Sequence, residues 1–254
     1  MKILVTSSKG GIGKSTLSAG LALAFAKMGK RVLLIDCDLG GRSLDMFLGT
    51  EDKVLFDVGD VALGRCRPDD ALLNPWDTVN LFFCPSPAVY HPGDFDGDGL
   101  VSAIRALEAA CGAEVVICDT AGMICAPDIA KKYAKTALVL ATQQPASVRA
   151  AESTAMLLGD HGLSDAKLVI SNFEWKSAEK GSRAGILDII DGAGVQCVGI
   201  VPHDRSLMLA GEAGKQPPKR SLGMQAFANI ADRLCGYNVK LFSGMDKISG
   251  KKAL

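Results

Sequence analysis

The stretch Ser8-Lys9-Gly10-Gly11-Ile12-Gly13-Lys14-Ser15-Thr16 limits the fold of this chain more than any other. It follows an apolar run with strand character at residues 3–7. It opens a segment with helical periodicity at residues 15–28, where Leu17, Leu21, Phe25 and Met28 recur and Gly29 marks a stop. A glycine-rich turn between strand and helix is the setting in which backbone amides close around phosphate oxygens. Gly10, Gly11 and Gly13 permit the backbone conformations such a turn needs, and the helix that follows aims its positive end at the anion. In a P-loop of this kind the amides from Gly10, Gly11, Ile12 and Gly13 form the cradle. Lys14 reaches the β- and γ-phosphates, the Ser15 hydroxyl ligates Mg²⁺, and Thr16 adds a contact to the α-phosphate.

The remainder of the chain suits the same architecture. Apolar runs at 32–36, 79–84, 115–119, 136–141, 167–171 and 195–200 read as strands buried on both faces. Helical stretches at 100–110, 145–158 and 222–234 lie between and after them. The alternation predicts an α/β fold, a single doubly wound, mostly parallel sheet with helices on both faces. The 254 residues suit one large domain, 1–236, followed by a basic tail, 237–254. Acidic and basic residues balance at 28 each, which gives no footprint for specific nucleic-acid binding. No apolar run is long enough for a transmembrane helix, and the start of the chain is too short for a signal peptide. The eight cysteines contain no Cys-x-x-Cys pair, so most read as small buried hydrophobes in a reducing cytoplasm.

Two strands end in acids. Residues 32–36 lead into Asp36-Cys37-Asp38-Leu39-Gly40-Gly41-Arg42-Ser43-Leu44-Asp45, and residues 115–119 lead into Asp119-Thr120-Ala121-Gly122. Carboxylates at the end of parallel strands beside a P-loop face the phosphates and their metal. Asp119 takes the Walker B position, holding a Mg²⁺-bound water. The Gly122 amide is placed to sense the γ-phosphate.

The second lysine of the loop, Lys9, gives these motifs a more specific resemblance. Lys-Gly-Gly-Ile-Gly-Lys-Ser-Thr resembles the deviant Walker A motif of the MinD/ParA ATPases, and the segment from Asp36 to Asp45 resembles the MinD pattern Asp-x-Asp-x-Gly-x-Arg-x-Leu-Asp. The resemblance runs from the N-terminus to about residue 235 and implies an ATPase that dimerises face to face when it holds ATP and Mg²⁺. It implies that Lys9 reaches the partner's nucleotide, that Asp38 positions the attacking water, and that Asp36 supports the metal. MinD-like chains often have one more residue between the Walker B aspartate and the Ala-Gly pair; the form Asp-Thr-Ala-Gly also occurs in signal-recognition-particle GTPases. The guanine-reading tetrapeptide Asn/Thr-Lys-x-Asp is absent. Asn172, in Ser171-Asn172-Phe173, stands where MinD-like ATPases place an asparagine near the adenine. Pro202 and Asp204, in Val201-Pro202-His203-Asp204, resemble the family's second base-side loop.

The resemblance further implies a homodimer in the ATP state, an activating protein partner, and work in spatial positioning or partitioning in the cytoplasm or peripherally on the inner face of the membrane. Stable membrane binding is not favoured. Leu241, Met245 and Ile248 share a helical face in the tail, but Gly244 and Gly250 weaken it. Two alternatives stay open: a metallocentre-assembly or metal-delivery ATPase of the same fold with Cys125 at the dimer seam, and a nucleotide-regulated scaffold without turnover. The acidic run from Asp94 to Gly99 imitates a calcium loop but has Arg105 where a carboxylate is required, so it reads as a helix-capping turn. His91, His161 and His203 read as surface or loop histidines.

Overall fold

The structure is a computed structural model, and it describes residues 1–122 and 124–241. The strands are β1 (Lys2–Thr6), β2 (Val32–Asp36), β3 (Leu81–Cys84), β4 (Val115–Asp119), β5 (Thr136–Ala141), β6 (Ala166–Phe173) and β7 (Cys197–Pro202). The helices are α1 (Lys14–Lys27), α2 (Leu44–Leu48), α3 (Val58–Ala62), α4 (Gly97–Cys111), α5 (Ala126–Lys132), α6 (Pro145–Asp160), α7 (Trp175–Glu179), α8 (Ile186–Ala193), α9 (Arg205–Glu212) and α10 (Leu222–Leu234). The strands form one seven-stranded sheet in the order β3-β2-β4-β1-β5-β6-β7, and every pairing is parallel.

The continuous apolar runs have a direct cause. Leu33 and Ile35 of β2 enter the cluster that contains α3 to α6 and α8, whereas Val32 and Leu34 enter the opposite cluster with α1, α9 and α10. Both pleat faces are therefore buried, and neither tolerates polar residues. The predicted strand at 79–84 begins later, at Leu81. The Leu81 N–H donates to Thr78 O at 3.0 Å, closing a turn that leaves Val79 84% exposed.

Helix α1 departs from the amphipathic stripe that its spacing suggests. Every residue from Leu17 to Ala26 is buried, because the sheet, α2 and α10 enclose it. Its end follows the sequence signal: Gly29 adopts φ 84°, and Gly29 N and Lys30 N bond to Ala26 O and Phe25 O. Asp96 accepts from Gly99 N at 2.8 Å and caps α4, as the helix-capping reading of the acidic run requires.

Of the tail, residues 237–241 are described. The Arg233 side chain ties them back to α10, donating to Val239 O at 2.9 Å and also to Lys240 O. The rest of the expected amphipathic helix lies outside the described residues. Among the described residues no helix is long and apolar enough to cross a membrane.

Candidate nucleotide-binding site

Register brings the candidate residues together. Val5 pairs with Asp119 across β1 and β4, and Asp36 pairs with Asp119 across β2 and β4. The ends of the three strands thus lie side by side, with the loop leaving β1 directly above them. Gly13 is the N-cap of α1 at φ 93°, and Gly11 has φ 70°. A Cβ at Gly13 would also press within 3.0 Å of Ser171 Oγ, whereas one at Gly10 or Gly11 would meet nothing within 4 Å. The loop is therefore packed on its inner side and open on the other. The first N–H groups of α1 have no partners within the helix, and no side chain caps them.

Two adjoining cavities share Gly11, Gly13, Thr16 and Ser43. The first, of about 600 Å³, is lined by Gly10, Gly11, Gly13, Lys14, Ser15, Thr16, Asp38, Asp119 and Gly122 among others. The second, of about 500 Å³, is lined on its apolar side by Ile12, Met46, Phe47, Leu207 and Met208, and includes Asn172, Pro202, His203 and Asp204. A polar chamber under a cationic loop beside an apolar one fits a triphosphate joined to a base.

The two lysines are held differently. Lys14 Nζ donates to Lys9 O at 3.2 Å, across the loop. Lys9 Nζ lies outside the loop and donates to Gln144 Oε1, at the N-cap of α6. Ser8, where an ordinary P-loop has its first glycine, also faces α6, with its hydroxyl 3.5 Å from Ala150 O and 3.3 Å from Thr154 Oγ1.

The carboxylates differ as well. Burial pushes Asp36 up to about 7, although it accepts from Asp38 N at 2.9 Å and Leu44 N at 3.3 Å. Asp36 does not line the cavity; its oxygens hold the backbone that carries Asp38. Burial pushes Asp119 up to about 6, against hydrogen bonds from the Ser15 and Ser18 hydroxyls, the latter at 2.8 Å. Burial also raises Asp38, with the Lys14 ammonium pulling the other way. A Cβ on Gly41 would stand 2.4 Å from the Asp38 carboxylate, so a larger residue there would push that side chain from its present position. Acids raised by burial, with Lys14 as the nearby cation, form a set short of positive charge, as expected where Mg²⁺ is held. Among the described residues no group of three or more His, Cys, Asp or Glu side chains forms a metal cage.

Three other residues are already engaged. The Gly122 N–H donates to Thr120 O at 3.1 Å, in a tight turn with Gly122 at φ 69°. Asp204 spends one oxygen on capping α9 through Ser206 N at 2.9 Å and the other on Gly223 N at 3.0 Å. Burial raises Asp204, but these bonds prevail and leave it below the usual carboxylate value. Cys125 is 7% exposed, shares an apolar cluster with Cys37 and Cys118, and is pushed up to about 12 by burial.

His203, read from sequence as a surface or loop histidine, is exposed in the loop after β7 and also lines the apolar cavity, with Nδ1 2.7 Å from Asn172 Oδ1. A histidine one residue past a strand carries no local signal; only the pairing of β6 with β7 brings it to Asn172.

The sequence model of the CobQ/CobB/MinD/ParA nucleotide binding domain matches residues 3–217. The chain belongs to this family. A putative septum site-determining protein MinD from Tupiella akineta is 31% identical over 237 residues, covering 92% of this chain and 78% of that protein. The septum site-determining protein MinD of Synechocystis sp. is 29% identical over 246 residues, covering 96% and 92%. Among solved structures, the MinC:MinD cell division protein complex of Aquifex aeolicus superposes with a TM-score of 0.83 at 29% identity, covering 94% of this chain and 97% of that one. The septum site-determining protein MinD of Pyrococcus horikoshii, complexed with Mg-ADP, shares the fold with a TM-score of 0.75 at 21% identity, covering 91% and 94%. The family consists of P-loop nucleotide-binding ATPases.

Proposed function

We propose that this chain is an ATP-dependent switch ATPase that passes between a monomer and a face-to-face homodimer and hydrolyses ATP to ADP and phosphate. Its service is spatial positioning or partitioning, of the kind named in the septum site-determining relatives. The observation that carries this reading is the meeting of Lys14, Ser15, Asp38 and Asp119 in one cavity with Lys9 just outside it.

Each residue then has a part. Lys14 neutralises the β- and γ-phosphates, and the loop amides hold their oxygens. Ser15 and Asp119 would hold Mg²⁺, which supplies charge neutralisation to the phosphates. Asp36 acts on Asp38 through the backbone. Asp38 orients the attacking water as an acceptor. Gly122 senses the γ-phosphate only after its bond to Thr120 O opens. Asn172 and Pro202 line the base end, and Asp204 secures the two helices beside it. Lys9 leaves Gln144 to reach the partner's nucleotide, where a cation stabilises charge that develops as the γ-phosphoryl departs. An activating protein partner triggers that step; a complex with MinC is known for the Aquifex aeolicus neighbour. The protein works in the cytoplasm or peripherally on the inner face of the membrane, and residues 1–236 act as one ATPase domain.

Light scattering after size exclusion in ATP and Mg²⁺, run beside a phosphate-release assay, tests the reading. An ATP-dependent dimer with turnover is expected. A protein that stays monomeric and releases no phosphate even with a stimulating partner sinks it.

A further inference from the structure

The backbone of Asp38 is held from two directions. Its N–H donates to Asp36 Oδ1 at 2.9 Å, and its carbonyl accepts from the Ser86 hydroxyl at 2.7 Å. Ser86 lies just past the end of β3, 48 positions further along the chain. Register carries it there: Ile35 of β2 pairs with Cys84 of β3, so the residues that follow the two strands leave the sheet side by side. The grip repeats one residue on, where Gly40 N donates to Pro87 O at 3.3 Å. Ser86 is 0% exposed, and a carbonyl only accepts, so the hydroxyl is the donor. The bond has the usual length for O–H···O. A further bond to the same carbonyl is local: Gly41 N donates to it at 2.9 Å and closes the turn. That bond shapes the turn but moves with it. Asp36 belongs to β2 and Ser86 follows β3, so their bonds fix the turn relative to the sheet. They thereby fix the Asp38 side chain that lines the phosphate cavity.

We propose that Ser86 is a positioning residue for hydrolysis, one whose hydroxyl presets the Asp38 carboxylate for the water that attacks the γ-phosphoryl. The proposal rests on the reading of Asp38 as the acceptor that orients that water. Ser86 does not line the phosphate cavity, so it acts on the turn and not on nucleotide or water. Removing the hydroxyl leaves one lone pair of a buried carbonyl unfilled and frees the turn to shift about its remaining ties. A misplacement of about 1 Å can cost about a hundredfold in rate, so the loss of one tie among several should cost about tenfold. Nucleotide affinity depends on the loop amides and Lys14, which Ser86 does not hold, and should stay as it is.

Single-turnover phosphate release with the full chain, ATP and Mg²⁺ measures the rate in wild type, Ser86→Ala, Ser86→Thr and Asp38→Ala. Calorimetric titration with a non-hydrolysable ATP analogue measures affinity, light scattering measures the ATP dimer, and hydrogen exchange follows the amides of residues 37–43. Ser86→Ala should bind the analogue and dimerise as wild type does, with hydrolysis about tenfold slower. Its faster exchange should be confined to residues 37–43. Ser86→Thr, which keeps the hydroxyl, should stay within about twofold of the wild-type rate. A Ser86→Ala protein with the wild-type rate overturns the proposal. So does a rate loss shared equally by Ser86→Thr, or one matched by an equal loss of affinity, since the bond to Asp38 is then not what matters. Those three outcomes leave the role of Asp38 standing. An Asp38→Ala protein that hydrolyses ATP normally removes that role, and the proposal with it. A wild type that hydrolyses no ATP removes the switch ATPase reading itself, and the proposal with it.

Discussion

Lys14 and Lys9 are five positions apart on one loop, and their different surroundings predict different failures. Lys14 crosses the loop to Lys9 O, within the phosphate cavity. Lys14→Ala should abolish ATP binding, because the phosphate group loses its main point charge; calorimetric titration with a non-hydrolysable analogue checks this, and unchanged affinity would remove the P-loop assignment. Lys9 rests on Gln144, outside the cradle. Lys9→Ala should therefore still bind ATP as a monomer but fail to dimerise, since two apposed triphosphates would meet without bridging cations. Asp38→Ala should do the reverse: bind, dimerise and stay trapped without turnover. Light scattering beside phosphate release reads both, and a Lys9→Ala protein that dimerises and hydrolyses normally reduces Lys9 to an ordinary loop residue. The sequence reveals these residues because loop, lysine and hydroxyl are local in chain order. It does not reveal the tether of Ser8 to α6, or of Asn172 to His203, because their partners come from distant segments.

At the scale of elements, helices meet at glycines. A Cβ on Gly20 of α1 would stand 2.2 Å from the Phe227 ring of α10, and that ring is 1% exposed. A Cβ on Gly211 of α9 would meet the Phe47 ring of α2 at 2.1 Å, and one on Gly49 would meet Gly214 O at 2.3 Å. The helix that follows Asp38 is thus keyed onto the helix beside the base cavity. In an exposed helix, glycine to alanine stabilises by up to about 1 kcal/mol. Gly159→Ala on α6, where a Cβ meets nothing within 4 Å, should follow that rule. Gly20→Ala should reverse the sign, because overpacking against an immobile ring costs about 1–3 kcal/mol. Thermal unfolding of the pair is the measurement, at about 2–4 °C per kcal/mol for a chain of this size. A Gly20→Ala protein that melts higher than wild type would show that Phe227 yields more easily than its burial implies.

Over the whole molecule, parallel register stacks acids at one edge of the sheet, and this carries a pH signature. Burial lifts Asp36 to about 7 and Asp119 to about 6, from 3.8 for a free aspartate. The folded chain then binds more protons than the unfolded chain across that interval, so stability falls as pH rises through it. Asp204 lies on the other side, below the usual value, and its contribution is lost only as pH falls under the ordinary carboxylate range. Nucleotide-free protein in a chelator should melt progressively lower from about pH 5 to 8, and Asp119→Asn should flatten the slope. Adding ATP with Mg²⁺ should raise the melting temperature most at the upper end, where the carboxylates are charged. A nucleotide-free protein whose stability climbs over that range would mean the acids are better solvated than their burial indicates.

By itself the sequence determined whatever depends on neighbours in the chain. Glycines at 11 and 13 and the strand-loop-helix order define the cradle, and apolar runs define strands that must be covered on both faces. The capping acid at Asp96 and the stop at Gly29 are equally local, because a cap bonds to residues only a few positions away. Tertiary structure decided what those parts meet. It enclosed α1 on all sides where the spacing suggested a single buried stripe, and it set Asp36 behind Asp38 as a backbone support. It also committed Asp204 to two helix starts, buried Cys125 among apolar side chains, and carried His203 to Asn172. Each outcome follows from strand order and register, which rest on the summed packing of segments far apart in sequence. No short window of residues contains that sum.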